Sequence, residues 1–528
     1  MKTTENYGLP QFEQGDKFNI EDINKSFKDI DLAIADLQKT FNTTASGTPE
    51  IIVNEVIEAR IGESKLKNFN ENVKNNLHSL SMYLNDYRDL KSMIESSDNN
   101  IIRLPSGLLK ISETINVPDN TTLIGYNTII EKENGAILSL GNNCIIKGIK
   151  FKSTATKYLA KNIGIDIVNK SNIKIYDCLF EDIGFNAINI SFSNNIAIND
   201  CTFNKIGYSA IGCSSCRRII IDNIYIDTVY CNSNLQGYGV YFSRKESDDI
   251  ELDYPSSNCI VKNSYITNVS TWEALDTHGG QDIHFINNKI TNCKVGIVMG
   301  ESQNSSGAVL ISNNYCSCVG NKITLNNKGY GISVGSGSNI DSTNNIIKEN
   351  VLTNCGVSGA TTSGSIRLTP NCINTVIKDN IINDSNENGI VIGANSSVII
   401  SDNIINKTKT SGAVSYGVNL VGDYITANIS NNIVVGIADN TSSRGFQGGG
   451  GVNSKIIFNN NITKDVNINA VGFTIKNTES SSMFNGVKIT TGTGEPTIEL
   501  PNGSIYVRAN GSTNTTLYIR ENNSWVAK

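Results

Sequence analysis

Between about residues 160 and 425 the chain repeats a four-residue pattern: a small residue, an apolar one, a variable one, then a second residue that is usually apolar. The copies are Gly164–Ile167, Ala187–Ile190, Ala210–Cys213, Gly239–Phe242, Ala274–Thr277, Gly296–Met299, Gly331–Val334, Ser365–Leu368, Gly389–Ile392 and Gly417–Leu420, spaced 22 to 35 residues apart. Alternation with period two marks a strand with one face inward, and recurrence at this interval gives one strand per coil of a solenoid. No LxxLxL pattern is present, which argues against a leucine-rich solenoid.

A second ladder runs in phase with the first: Asn223, Asn263, Asn288, Asn314, Asn345, Asn380, Asn403, Asn432 and Asn460, with Cys178 and Cys201 in that place in the earlier coils. Asn tolerates the left-handed conformation and bonds neighbouring backbone, so these positions predict sharp corners between sheets. The expected fold is all-β: a right-handed, single-stranded parallel β-helix over residues 98–470. Outward positions should form columns at about 4.8 Å per coil.

The ends read differently. Ile20, Ile23, Phe27, Ile30, Ile34, Leu37 and Phe41 follow 3,4 spacing behind a capping Asn19, which predicts a coiled-coil seam within residues 1–45. A helical neck is expected over 46–97, with helices at Val53 to Arg60 and along Val73, Leu77, Leu80, Leu84 and Tyr87. Residues 471–528 read as short strands around Asn-Gly turns, a small β domain for trimerisation or receptor contact.

Composition narrows the function. With 45 Gly, 8 Pro and a net charge of −6 over 528 residues, the chain suits strands and tight turns and carries no general polyanion surface, so no nucleic-acid partner is expected. No stretch approaches a membrane span and the N-terminal residues lack an apolar signal region, so a product made in the cytosol with no membrane insertion is expected. All twelve cysteines lie between Cys144 and Cys372, several at apolar repeat positions, which predicts buried reduced thiols. Cys213 and Cys216 form a lone CxxC without further zinc ligands at suitable spacing.

The residues 101–126, IIRLPSGLLKISETINVPDNTTLIGY, resemble the opening segment that caps pectate-lyase-like β-helices in phage tail spikes. The N-terminal YGLPQFEQGDKFNIEDINKSF and the closing PNGSIYVRANGS and TLYIRENNSWVAK resemble the ends of tail proteins from phages of low-GC Gram-positive hosts. Podophage neck or tail appendages that degrade teichoic acid are the nearest group. The resemblance implies a homotrimer held to phage tail or neck proteins by its N-terminus, located on the virion and acting on a glycopolymer at the bacterial surface.

Chemistry concentrates at Trp272-Glu273-Ala-Leu-Asp276-Thr-His278-Gly-Gly280. The repeat register turns Leu275 and Thr277 inward and Asp276 and His278 outward, about 6.7 Å apart along one strand, with Glu273 at its start. Carboxylate, imidazole and Trp within seven residues make Glu273, Asp276 and His278 the candidate catalytic groups. Tyr241 and Arg244 one coil earlier, Trp272, Glu301 one coil later and Arg367 three coils on are the candidate substrate contacts, a set suited to a long anionic glycan. Arg217, Arg218 and the run Gly448 to Gly451 read as solvated turns or loops. No metal is required by these residues, although the acidic insertion Glu246, Asp248, Asp249, Glu251 and Asp253 offers ligands of the type that Ca²⁺ takes.

Three chemistries fit this set. If the bond is glycosidic, Glu273 and Asp276 are acid and nucleophile or base, and their separation decides retention against inversion. If it is a polyol phosphodiester, His278 is acid or base, Asp276 orients it, and Arg244 or Arg367 neutralises phosphate. A polysaccharide lyase is the third, without an Asp cluster for Ca²⁺ of the pectate type. A non-catalytic receptor-binding or structural fibre and a secreted polysaccharide enzyme complete the alternatives.

Overall fold

Alternating strands of three to ten residues dominate the computed structural model, which describes residues 2–3, 10–11, 90–95, 101–154, 157–231, 236–245, 254–303, 309–326, 329–335, 339–360, 362–406, 408, 415–436, 443–448, 453–464, 468–471 and 489–528. Contacts divide the chain into units at Met1–Tyr87 and Arg88–Lys528. In the first, Lys2–Thr3 pairs antiparallel with Pro10–Gln11. The coiled-coil seam at residues 20–41 and the helices expected at 53–60 and 73–87 lie outside the described residues.

In the second unit each coil adds one strand to each of three parallel ladders, the pattern of a parallel β-helix. All ten four-residue copies fall on strands of one fourteen-stranded sheet, in continuous register. Ile165, Ile188, Ile211, Val240, Leu275, Ile297, Ile332, Ile366, Ile390 and Val418 stack as one wholly buried row, because a strand repeat in phase with the coil places like residues over like. Another row stacks Phe151, Phe180 and Phe203 with ring centroids 5.0 Å apart, one coil rise per ring. All twelve cysteines are buried and unpaired.

The Asn ladder is two ladders, offset by one residue. Asn223, Asn263 and Asn460 hold the corner itself, with φ of 51°, 52° and 51°. Asn288, Asn380, Asn403 and Asn432 occupy the next position and point inward, joined there by Asn321, Asn350 and Asn461. Each buried amide donates to the side-chain oxygen of the next and to a backbone carbonyl, as Asn403 does to Asn432 (2.9 Å) and Ile377 (3.0 Å). Asn314 and Asn345 belong to a different corner, where Asn313 donates to Asn345 at 2.7 Å. Sequence spacing could not separate positions one residue apart when both favour Asn.

The helix Leu90–Glu95 lies against the first coil: Ile94 is wholly buried, and Glu95 accepts from the Asn116 backbone N–H at 2.8 Å. Past the last coil, Ile489–Gly492, Ile505–Arg508, Leu517–Glu521 and Ser524–Ala527 form a four-stranded sheet. Its final hairpin turns on Asn522-Asn523, both with positive φ, where Asn-Gly turns were expected throughout this segment.

One outward column is apolar. Ala197, Ile220, Ile260, His284, Ser317, Ile346, Val376, Ile399, Asn428 and Ile457 follow in register, and Ile220, Ile346, Ile399 and Ile457 are 42–55% exposed. Within it His284 Nε2 lies 2.9 Å from Asp282 and Nδ1 2.8 Å from the Ser317 hydroxyl, a surface contact with both side chains substantially solvated.

The buried amide ladder carries a stability prediction. Asn403→Ala removes the acceptor of the Asn380 backbone and side-chain N–H groups and the donor to Ile377 and Asn432. At about 1–3 kcal/mol per buried group left unpaired, the loss should reach at least about 2 kcal/mol. Guanidinium unfolding of both proteins measures it, and an unchanged midpoint would contradict the role given to the ladder.

Candidate active site

The strand Glu273–His278 lies in the fourteen-stranded sheet between Tyr238–Ser243 and Val295–Gly300. One coil on, after Gly300, the chain departs from its pattern: Ser302–Gln303 pairs antiparallel with Val309–Ile311 beside the end of the Glu273–His278 strand. Gly279 makes this approach possible, since a Cβ there would sit 2.8 Å from the Ser302 side chain and 2.6 Å from that of Ile311. Its φ of 71° also suits glycine.

The expected facing is confirmed and its consequence is corrected. Leu275 and Thr277 point into the core, and Asp276 and His278 point out, but Asp276 is wholly covered rather than solvent-facing. His278 lies across it, with Nε2 3.0 Å from Asp276 Oδ2, while Nδ1–H donates to the Glu301 backbone carbonyl at 3.0 Å. A carbonyl only accepts, so Nδ1 carries a proton and Nε2 is the nitrogen that shares one with Asp276. The Nε2–Oδ2 contact is an ion-pair distance without hydrogen-bond alignment. Both Asp276 oxygens and Glu273 Oε2 are therefore buried without an aligned donor.

Glu273 is 4% exposed. Burial, then the neighbouring Asp276 carboxylate, push its carboxyl well above the usual range, and His278, Lys294 and Trp272 pull it back only in part. Burial raises Asp276 too, against the opposing charge of His278. On the His278 ring burial acts downward, but the Asp276 charge 3.0 Å away, with Glu273 and the Glu301 carbonyl, outweighs it and lifts the ring to about 10. Glu273 is thus held toward its neutral form, and the His278 ring keeps its proton through neutral pH against the Asp276 carboxylate. One ligand atom from each of the three lies within 4.8 Å of the others, the one such group among the described residues with spacing suited to a cation.

Above the cluster opens a groove of about 710 Å³. Trp272, Glu273, His278, Glu301 and Arg367 line it, so the structure brings five of the expected residues together. Tyr241 and Arg244 do not reach it. The Tyr241 hydroxyl leans back over Gly212 of the preceding coil, where a Cβ would meet it at 2.5 Å, and the ring packs on Tyr208 and Tyr238. The acidic residues 246–253 lie outside the described residues.

Several residues in or beside the groove escaped the sequence reading. Lys294 stands over the Trp272 ring at 4.5 Å, and Arg367 over the Tyr330 ring at 4.7 Å. Tyr238, nearly buried beside the acids, has its ionisation suppressed by burial and by Asp276 and Glu273. Tyr238, Glu273 and Tyr330 each immediately precede the small residue of a four-residue copy. Reading that preceding position coil by coil would have found both tyrosines.

The family profile described as a right handed beta helix region matches residues 277–452, in accord with the coils seen here. No curated protein sequence matches the chain. Among solved structures, a double mutant of the tailspike protein of E. coli bacteriophage HK620 is 12% identical, with a TM-score of 0.49 over 72% of this chain and 75% of that one. The catalytic domain of a GH87 α-1,3-glucanase in complex with tetrasaccharides is 15% identical (TM-score 0.45, 68% and 63%), so the chain spans less than two thirds of that domain. PfbA, a surface adhesin of Streptococcus pneumoniae, is 14% identical (TM-score 0.41, 84% and 97%). At these identities the likeness is one of fold.

The electrostatics give a measurable sign. The folded-state value of His278 is raised, so its proton contributes stability that is full below about 6.5 and lost as pH climbs through about 10. Glu273, also raised, acts in the same direction, from its ordinary 4.5 upward. Asp276→Asn removes the largest upward influence and leaves burial opposed only by Glu273 and the Glu301 carbonyl, so the His278 ring should titrate well below about 10. NMR of the ring protons reads this directly, and an unshifted titration would show that Asp276 does not set the His278 charge.

Proposed function

We propose that this chain is a phage tail spike or appendage that binds and hydrolyses a bacterial surface glycopolymer. The carrying observation is the buried cluster of Glu273, Asp276 and His278, whose Glu273 and His278 line a groove on a rigid sheet face. Groups fixed in a stiff strand keep their geometry as a reaction proceeds, which is what a general acid requires.

In this reading Glu273 is the acid. Its carboxyl is kept neutral and faces the groove, and it gives its proton to the glycosidic oxygen as that bond breaks. Water attacks the sugar carbon and passes its proton to the Glu301 carboxylate, whose Oε1 accepts from Gln303 at 2.9 Å. The first expectation for Asp276, nucleophile or base, is set aside because a wholly covered carboxylate does not touch a sugar ring. Asp276 is instead a positioning residue. It holds His278 in place and charged, where the ring stabilises negative charge in the groove.

A homotrimer held to the phage tail or neck by its N-terminal segment completes the proposal. The heptad spacing at residues 20–41 and the apolar column from Ala197 to Ile457 support it, the occupant of that column being two further copies of the chain. The polymer is a wall teichoic acid or a capsular polysaccharide.

Two measurements test this. Glu273→Gln should lower depolymerisation of isolated cell-wall glycopolymer by a hundredfold or more, with binding retained, because the amide keeps the shape and loses the proton. Size-exclusion chromatography of the products reads it, and near-wild-type cutting would remove Glu273 from the chemistry. Light scattering should give three times the 57.2 kDa chain mass, and a single-chain mass would overturn the trimer.

A further inference from the structure

Arg367 has an unusual setting within the groove. Its strand, Gly364–Leu368, follows the pattern of the sheet, with Ile366 and Leu368 in the core and Arg367 outward. The guanidinium is held over the Tyr330 ring at 4.7 Å, which fixes the plane of the fork without using its N–H groups. No carboxylate lies within ion-pair reach of it among the described residues, and no hydrogen bond engages its five donors. A half-buried Arg elsewhere in a protein normally finds an acid. This one faces a groove lined nearby by Ser333, in register beside it, and by Thr369, whose hydroxyl donates to the Val334 carbonyl.

Register places this cation relative to the acid. Glu273 pairs with Val295, and the Gly296 N–H donates to the Tyr330 carbonyl at 3.0 Å, so Tyr330 lies two coils beyond Glu273. Two coil rises are roughly 10 Å. The guanidinium leans back over that ring and so sits at this level. A group bound there belongs to a neighbouring unit of the polymer and not to the one whose bond Glu273 breaks.

We propose that Arg367 and Tyr330 form a specificity subsite for a singly charged oxyanion of the polymer, a uronate carboxylate or a phosphodiester. The inference rests on the glycopolymer reading above and sharpens it: the substrate is anionic, and its charge is read at a fixed distance from the cut. The planar fork matches either oxyanion with two parallel N–H···O bonds, and the Tyr330 face accepts an adjoining sugar edge. One coil beyond Glu273, Lys294 over Trp272 repeats the cation-on-aromatic arrangement as a point charge.

The test uses the full-length Glu273→Gln protein, so binding is measured without cleavage, and three probes: methyl glucuronide, glycerol 3-phosphoryl glycerol and neutral methyl glucoside. Binding is followed by the shift of the Tyr330 ring resonances. One of the two anions should bind at least tenfold more tightly than the glucoside, and which one does so identifies carboxylate or phosphodiester as the source. Adding Arg367→Ala should abolish that preference, while Arg367→Lys, keeping the charge and losing the fork, should retain part of it. The outward Arg is not part of the core, and far-UV circular dichroism confirms that each variant keeps its sheet. Equal binding of all three probes, or an anion preference untouched by Arg367→Ala, would overturn the subsite. Failure of the wild-type protein to shorten any glycopolymer would overturn the hydrolase reading while leaving this binding result standing.

Discussion

Everything in this molecule depends on the fixed register with which each coil hydrogen-bonds to the next. A parallel ladder admits no slippage here, since a shift of one residue would turn the buried Ile row outward along the whole sheet. Once that register holds, each position in the repeat becomes a column with a rise of about 4.8 Å, and chemistry is organised by column and coil number. The corners are what keep the register. A left-handed Asn at the bend and a buried amide in the next position tie each coil to its neighbour through bonds that only the correct stacking satisfies.

The site is where one column breaks the habits of the others. Many outward positions on this sheet carry Ser, Asn or aliphatic groups, while the coil at 273–278 places two carboxyls and an imidazole there. Burying an isolated carboxylate costs several kcal/mol, so the cluster is tolerable only with the Glu273 proton retained and Asp276 set against a protonated His278. Those retained protons are also the useful property, for they leave an acid in the groove wall at a pH where a solvated Glu is ionised. The Gly279 bend and the antiparallel pair after Gly300 supply the Glu301 carbonyl that fixes the His278 tautomer.

The groove's breadth comes from coils on the C-terminal side. Tyr330 and Arg367 are 57 and 94 residues beyond Glu273 in sequence, yet the coil stacking brings them to one surface within a few coil rises. A solenoid makes such extended sites readily, since a groove parallel to its axis can lengthen by one coil without disturbing the core. It also suits a polymeric ligand, whose repeat units meet successive coils.

The amino-acid sequence by itself determined the solenoid, the strands that carry the four-residue copies, and the identity of the coil where ionisable groups gather. Those features follow from periodicity, a local property that survives without coordinates. The sequence also turned Asp276 outward correctly, yet it could not show that His278 closes over it, because exposure depends on a side chain two positions away and on a hairpin from the next coil. Tyr241 and Arg244 were placed by column alone, and rotamer choice sent Tyr241 back over Gly212. Tyr330 was passed over because nothing marks it until Arg367 is seen to lie on its ring. Which residues share a coil is written in the repeat; which of them touch, and which keep their protons, was decided only by packing in three dimensions, where burial and charge act between groups far apart in the chain.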